Sequence, residues 1–191
     1  MLTKLLAIGA ILTASTFGAI LNYSVTLNGA IEAPPNLSAG TGTATIVFNT
    51  TAHTMQVDIS FSGLTGNTTA AHIHCCTAVA NTGTAGVATE LPLFTGFPTG
   101  VQSGTYSHLF DMTLATNFNP AFITAHGGTV GQAELDLANG GLNAYLNLHT
   151  SSFAAGEIRG FLVLTPEPGT LGMAVGAAIA GLALARRKAR K

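Results

Sequence analysis

The sequence predicts an all-β protein: an antiparallel β-sandwich or barrel of about seven to eight strands, with one or two short helices before the last strands and a C-terminal transmembrane helix. Three observations support this fold class. Short runs alternate apolar with polar residues or are rich in threonine, turn residues separate these runs, and an uncharged apolar run lies near the C-terminus. A period of two residues is typical of strands with one buried face.

The predicted strands follow one another along most of the chain. In residues 23–31, Tyr23, Val25 and Leu27 alternate with polar neighbours, and residues 55–61 alternate again. Glycine, proline and asparagine mark the turns between runs, and residues 49–52 are expected to join the second and third strands as a hairpin. The seven predicted strands are residues 23–31, 43–48, 55–61, 70–76, 103–114, 142–149 and 157–164.

One segment between the fifth and sixth predicted strands has helix signals instead. Asn-Pro at residues 119–120 puts a capping side chain before a proline at the first helical position. Gly-Gly at residues 127–128 can end that helix, and residues 129–132 resemble a capping box that begins a second one. We expect these helices to cover an edge or an end of the sheet. Glu134 and Asp136 are expected on their solvated surface.

Charge is scarce and unevenly distributed. Lysine, arginine, aspartate and glutamate make up 8% of the 191 residues, compared with about 25% in a typical soluble domain. Residues 22–165 contain one arginine against seven acidic residues, a net charge of −6, because the other basic residues lie near the two ends. This acidic middle argues against nucleic-acid binding. The hydrophobic content of 47% excludes disorder caused by low hydrophobicity.

The N-terminus has the three parts of a secretory signal peptide. Lys4 supplies a basic start, residues 5–12 are apolar but too short to span a bilayer, and small residues follow. The prediction is a signal peptide over residues 1–21, cleaved somewhere within residues 16–22, with export through the Sec translocon. An N-terminal anchor that is not removed is the alternative.

The C-terminus combines a proline-rich stop, an apolar run and a basic tail. Pro-Glu-Pro at residues 166–168 separates this region from the preceding strand, because proline continues neither a strand nor a helix. Residues 171–185 are apolar and carry glycines at a spacing that suits a membrane helix, although a permanent span needs about 20 residues. The basic residues 186–191 would stay on the cytoplasmic side.

These three parts, in this order, resemble the PEP-CTERM sorting signal of Gram-negative bacteria over residues 166–191. The resemblance implies that the helix holds the exported protein in the inner membrane, facing the periplasm, until an exosortase processes it. The protein would then pass to the cell surface or to an exopolysaccharide matrix. A plain anchor that is never cleaved is the alternative. The residues that carry the resemblance include Pro166, Glu167, Pro168, Arg186 and Arg187.

A second resemblance covers residues 22–165. Residues 71–74 (Ala-His-Ile-His), 145–150 (Tyr-Leu-Asn-Leu-His-Thr) and 156–160 (Gly-Glu-Ile-Arg-Gly) resemble the three signatures of the CHRD domain, first described in chordin and widespread in bacterial exported proteins. The resemblance implies an exported interaction or matrix module. Cys75 and Cys76 depart from the pattern, which commonly has glycine and a small residue or proline there. The structural residues of the signatures are Tyr145, Asn147, Glu157 and Arg159.

Three histidines form a candidate metal site. His72 and His74 point to the same side of the fourth predicted strand, and this spacing can give a metal two imidazole ligands. His149 ends a strand whose Tyr145 and Asn147 share its side, so it becomes a third ligand if the two strands are neighbours. An imidazole site favours copper or zinc over magnesium or calcium.

The alternative for these histidines is structural. Histidines near strand ends often hold loops through hydrogen bonds, and in that case Glu157 and Arg159 would partner His149 or each other. The remaining histidines have simpler explanations: solvent exposure in a hairpin turn for His53, packing in a strand for His108, and a favourable helix dipole for His126.

Cys75 and Cys76 are the only cysteines, and an exported chain meets an oxidising compartment. Adjacent cysteines leave four states open: a vicinal disulfide, two free thiols, an intermolecular bridge, or soft metal ligands beside the histidine pair. The sequence favours the vicinal disulfide or a structural loop. A Cys-His nucleophile is disfavoured, because no Asn or Asp is visibly placed to orient the histidine.

Two function hypotheses follow. The first is an exported, membrane-tethered or surface-sorted non-catalytic module that interacts with an envelope protein or an exopolysaccharide. The second is a copper- or zinc-binding protein, with or without redox activity, that uses the histidine cluster. The sequence contains no phosphate-binding loop, nucleophile elbow or helical zinc-protease motif. We therefore expect no enzymatic activity, and the sequence demands no cofactor.

Overall fold

Residues 20–165, which the computed structural model describes, form one antiparallel β-sheet curled into a half-barrel. The strands are β1 (Ile20–Asn28), β2 (Thr41–Asn49), β3 (Thr54–Ser62), β4 (Thr68–His74), β5 (Gly104–Asp111), β6 (Tyr145–Thr150), β7 (Ile158–Phe161) and β8 (Val163–Leu164). Their order in the sheet is β4-β6-β7-β1-β2-β3-β5, and β8 pairs with β1 on the same side as β7. The all-β antiparallel prediction is thereby confirmed as a half-barrel.

The two predicted targeting segments lie almost wholly outside the described residues. Only residues 20–21 of the predicted signal peptide are described, and they begin β1. The predicted sorting signal, residues 166–191, is outside the description altogether. Within residues 20–165, no helix has the length and apolar character needed to cross a membrane.

The last predicted strand is interrupted, which is one difference from the sequence-based expectation. Residues 157–164 divide into β7 and β8 at Leu162, whose backbone N–H donates to the carbonyl of Ala144 at 3.0 Å. The first predicted strand also ends early, at Asn28. Its side-chain oxygen accepts from the N–H of Ile31 and caps a short 3-10 helix. A local hydrogen bond therefore ends β1 early, whereas a bond to a residue distant in the chain accompanies the break in the last predicted strand.

The concave side of the sheet holds the hydrophobic core, as the alternation predicts. Every second residue of β1, β2 and β3 is buried there. Removing these side chains from water is the main stabilising contribution to such a fold. The largest fully buried side chains include Phe48, Phe94, Phe110, Phe118, Leu27 and Ile46.

Two short helices, α1 (Pro120–Ala125) and α2 (Val130–Ala138), pack against this core. The predicted caps are confirmed, because Asn119 accepts from a first-turn N–H of α1 and Thr129 accepts from the N–H of Gln132 in α2. The expectation that Glu134 is solvated is wrong. It is only 2% exposed, and its carboxylate lies 2.6 Å from the ring of His53 in the β2–β3 hairpin.

The opposite side of the sheet differs from one half to the other. Over β1, β2 and β3 it is largely exposed, but β6 and β7 are buried on both faces. The long β4–β5 connection, residues 75–103, and the β1–β2 connection, residues 29–40, hydrogen-bond to side chains there. We call this part of β4, β6 and β7 the covered face. It carries all three segments that resemble the CHRD signatures.

Candidate metal centre

The covered face brings the three predicted histidines together. His72 and His74 project from β4, and His149 projects from the neighbouring strand β6. One ring nitrogen of each lies within 4.8 Å of one from each of the others. Their ring centroids are 5.4 to 6.0 Å apart. We call these three side chains the imidazole cluster.

Hydrogen bonds to backbone carbonyls hold each ring of the cluster. A carbonyl oxygen only accepts, so the nitrogen that contacts it carries the ring proton, and the other nitrogen of a neutral imidazole keeps its lone pair. The three bonds are His72 Nε2–H to the carbonyl of Pro92 at 2.7 Å, His74 Nδ1–H to that of Ala85 at 2.9 Å, and His149 Nδ1–H to that of Ala154 at 3.0 Å.

The second nitrogen of each ring is buried and has no hydrogen-bond partner among the described residues. These atoms are Nδ1 of His72, Nε2 of His74 and Nε2 of His149. A buried acceptor without a partner costs free energy, about 1–3 kcal/mol per group. Three such atoms in one cluster are therefore a costly arrangement for a purely structural site. They are also the atoms through which neutral imidazoles bind metals.

Burial keeps the cluster neutral. Desolvation lowers the pKa of His72 and of His149, and it lowers the pKa of His74 to about 4. The hydrogen bond from each ring to its carbonyl opposes this effect without cancelling it, while neighbouring positive charge within the cluster adds to it for His72 and His74. At neutral pH the lone pairs therefore remain available.

An aromatic side chain of β6 and a cationic side chain of β7 lie next to the cluster. The ring of His74 stacks on Tyr145, with centroids 4.8 Å apart and an interplanar angle of 7°. The guanidinium of Arg159 lies 4.7 Å from the centre of the same tyrosine ring. Arg159 also donates to the carbonyls of Ile31 and Gly83, so it ties both covering loops to the sheet.

Glu32 is a buried carboxyl group that lies beside Arg159, and it is not among the site residues predicted from the sequence. It is 6% exposed, and its Oε2 lies 3.8 Å from Nε of Arg159. Burial raises its pKa to about 7, against the opposing attraction of Arg159. The sequence contains one indication that Arg159 has an acidic partner. Arg159 is the only lysine or arginine between positions 22 and 165, and an arginine that is buried in the fold needs an acidic partner.

The backbone conformation at residue 156 explains why the third signature segment begins with a glycine. Its φ of 133° lies in a region that residues with a Cβ rarely adopt. A Cβ there would also approach Oδ1 of Asn147 to 2.6 Å and Oε1 of Glu32 to 2.7 Å. Both of these oxygens are buried without a hydrogen-bond partner among residues 20–165. Gly156 therefore allows the Asn147 amide and the Glu32 carboxyl to pack against the backbone.

Glu157 has a different role from the one expected. The prediction that it partners His149 or Arg159 is wrong, because Arg159 pairs with Glu32 and Glu157 binds the β3–β4 connection. Its carboxylate accepts from the hydroxyls of Ser38 and Thr150, each at 2.6 Å, and from two backbone N–H groups of residues 65–66. Burial alone would raise the pKa of Glu157, but these hydrogen bonds together lower it.

Cys75 and Cys76 form a vicinal disulfide directly after the cluster in the chain. A disulfide sulfur is not a thiolate, so the candidate ligands are the three imidazoles alone. Of the other histidines, His53 is exposed in the hairpin turn, as expected, and it also pairs with buried Glu134. His126 ends α1 and lies 2.8 Å from a carboxylate oxygen of Asp136, and His108 packs against Phe110.

The fold and the site together define a class of protein: a small antiparallel half-barrel whose loop-covered face carries a buried cluster of imidazoles. Comparison with protein families matches residues 23–162 to the CHRD domain. The chain belongs to the CHRD domain family. This domain is found in extracellular proteins, which is consistent with export. Comparison with curated proteins and with solved structures finds no match to the chain.

Proposed function

We propose that this protein is an exported, non-catalytic CHRD module that binds one copper or zinc ion through His72, His74 and His149. One observation carries the proposal: three neighbouring imidazoles each keep one buried nitrogen without a hydrogen-bond partner, while the other nitrogen donates to a backbone carbonyl. Metal-ligating histidines commonly have this second bond, which sets the tautomer and the ring orientation.

The dimensions of the cluster support a metal after a small contraction. Nitrogens bound to zinc lie about 2.0–2.1 Å from the metal, which in tetrahedral geometry puts them about 3.3 Å from one another. The present limit of 4.8 Å exceeds that value by about 1.5 Å, so the three rings would have to move closer together to hold a metal. Three histidine ligands leave a fourth position for water or another ligand.

The test is elemental analysis of the full chain, exported in a Gram-negative host and purified without chelators. We expect about one copper or zinc ion per chain, and its loss in the His72→Ala/His74→Ala double variant. His108→Ala is the matched control, because His108 is also a strand histidine packed against an aromatic ring but lies on β5, away from the cluster. Circular dichroism checks that each variant is folded.

Two results would contradict the proposal. One is a folded parent protein that holds no metal and takes up neither ion when it is added. The other is equal metal content in the parent and in the folded double variant, since the metal would then bind elsewhere. The imidazole cluster would in either case be a structural feature of the covered face. The first sequence hypothesis, an interaction module without metal, would then stand.

We further infer that the protein reaches the envelope through the Sec translocon and is sorted by its C-terminal segment. The Pro-Glu-Pro motif, the apolar run and the basic tail support this, together with membership of a family found in extracellular proteins. An exosortase would process the segment at the inner membrane and release the protein to the surface or to an exopolysaccharide matrix. Mass spectrometry of surface protein tests this: material that still ends at Lys191 would contradict processing.

A further inference from the structure

The exposed half of the sheet surface, over β1, β2, β3 and β5, is an ordered array of hydroxyl groups. Strand pairing places Thr26, Thr43, Ser60 and Thr105 opposite one another, in one row that crosses four strands. All four side chains are exposed. Because directly opposite residues of an antiparallel pair lie on the same face, their hydroxyls form a continuous line.

Two further rows lie on either side of this line. Ser24, Thr45, Asp58 and Ser107 form one, and Asn28, Thr41 and Ser62 form the other. Neighbouring rows are about 6.6–6.8 Å apart along the strands, and neighbouring positions within a row are about 4.8 Å apart. We call these three rows the hydroxyl face. Two shallow depressions lie on it, and both include Thr43 and Ser60 in their lining.

The hydroxyl face continues into the covered face. The register pairs Asn28 of β1 with Arg159 of β7, Arg159 with Asn147 of β6, and Asn147 with His72 of β4. One side of the sheet therefore carries the imidazole cluster under loops at one end and exposed hydroxyls at the other. No loop among the described residues covers the hydroxyl rows, whose serine and threonine side chains are exposed.

We propose that the hydroxyl face binds a neutral polysaccharide. The inference rests on the proposed surface location, where such polymers occur, and is independent of the metal. Hydroxyls of serine and threonine both donate and accept hydrogen bonds, as sugar hydroxyls do. Threonine side chains on strands are also stiff, so little conformational entropy is lost when they bind.

Charge and composition argue against other partners for this surface. The only charged side chain in the rows is Asp58, and it already accepts from Gln56 and from Ser107. With no cation in the rows, an anionic polymer finds no counter-charge. The cores of protein–protein interfaces are enriched in aromatic residues, methionine and arginine, and none of these belongs to the rows.

The mode of binding follows from the array. When a protein hydroxyl bonds to a sugar hydroxyl, both give up hydrogen bonds to water, so the net gain in binding free energy is small. A single sugar therefore binds weakly. A polymer engages many positions of the rows at once, and its apparent affinity rises with its length. We therefore expect binding to long neutral chains, no measurable binding to monosaccharides, and little change between low and high salt.

Affinity electrophoresis of the purified full chain tests the proposal, with native gels that contain dextran, a soluble β-glucan, a galactomannan or anionic alginate. We expect at least one neutral polymer to retard the protein. The Thr26→Val/Thr43→Val/Thr105→Val variant should lose at least five-fold in apparent affinity. Valine preserves side-chain shape and strand propensity, so the fold is retained. Thr51→Val/Thr69→Val is the matched control, since both of these exposed threonines lie outside the rows.

Three outcomes would overturn the proposal: no retardation by any neutral polymer, retardation by alginate alone, or equal retardation of the parent and the triple variant. Melting curves confirm that the triple variant is folded. Removing metal with a chelator should leave the retardation unchanged. The polysaccharide proposal and the metal proposal can therefore fail separately. Because the assay uses purified protein, it is also independent of whether sorting occurs as proposed.

Discussion

Acid should weaken the proposed metal binding much less than it weakens binding by ordinary histidines. A metal competes with protons for each imidazole nitrogen. An imidazole with the usual pKa of about 6.5 loses about 25-fold in availability between pH 7 and pH 5. For three ordinary histidine ligands the losses multiply, and metal affinity would fall by about 10⁴-fold. His74, whose pKa is about 4 because it is buried, loses less than about two-fold over the same range.

The lowered pKa of His74 alone reduces the expected loss of affinity to about 700-fold. Burial of His72 and His149 lowers their pKa values too and reduces the expected loss further. The assay is competition for zinc against a chromophoric chelator of known pH dependence, with circular dichroism to verify folding at each pH. A loss near 10⁴-fold in folded protein would refute the reasoning, because the ligands would then titrate as exposed histidines. His108→Ala should follow the parent curve.

Four further predictions concern stability. Saturating zinc at about 100 times its dissociation constant should stabilise the folded protein by about 2.7 kcal/mol in a thermal melt, and no shift would contradict binding. The raised pKa of Glu32 means that the parent loses stability as pH rises from 4.5 to about 7. Glu32→Gln also removes the acidic partner of buried Arg159, so the diagnostic quantity is the change with pH. Relative to the parent, the variant should gain about 1–2 kcal/mol between pH 4.5 and pH 8 after solvent screening, and an unchanged pH dependence would argue against a buried acid. Glu157→Ala should destabilise by about 2–3 kcal/mol, since it leaves four donors without their carboxylate, and two of them, the Gly66 N–H and the Thr150 hydroxyl, are buried. Urea denaturation measures this, and a loss under about 1 kcal/mol would contradict it. Gly156→Ala should cost about 2–3 kcal/mol in the same assay, whereas Gly131→Ala, in an open helical position, should be neutral or stabilising.

The sequence alone determined the local structure well. Alternation in β1, β2 and β3 predicted which side chains enter the core, because the side-chain period of a strand is set by the backbone. The caps at Asn119 and Thr129 were also predictable, since a cap forms between residues two or three positions apart. Segments that resembled the CHRD signatures identified the family, and the match over residues 23–162 confirmed it.

Tertiary structure decided what these residues contact. Residues 72 and 149 become neighbours only because β4 pairs with β6, and no local pattern specifies that pairing. Burial of Glu32 and Glu134, both ordinary acids in the sequence, likewise depends on loops and helices distant in the chain.

The hydroxyl face illustrates the same division. Alternating threonines such as Thr41, Thr43 and Thr45 are visible in the sequence, and their exposure follows from the period of the strand. Their alignment with hydroxyls of β1, β3 and β5 is a property of the register between strands. A shift of one residue in any pairing would turn that strand's hydroxyls toward the core. The sequence therefore determined which chemical groups are present, and the packing of distant segments determined which of them act together.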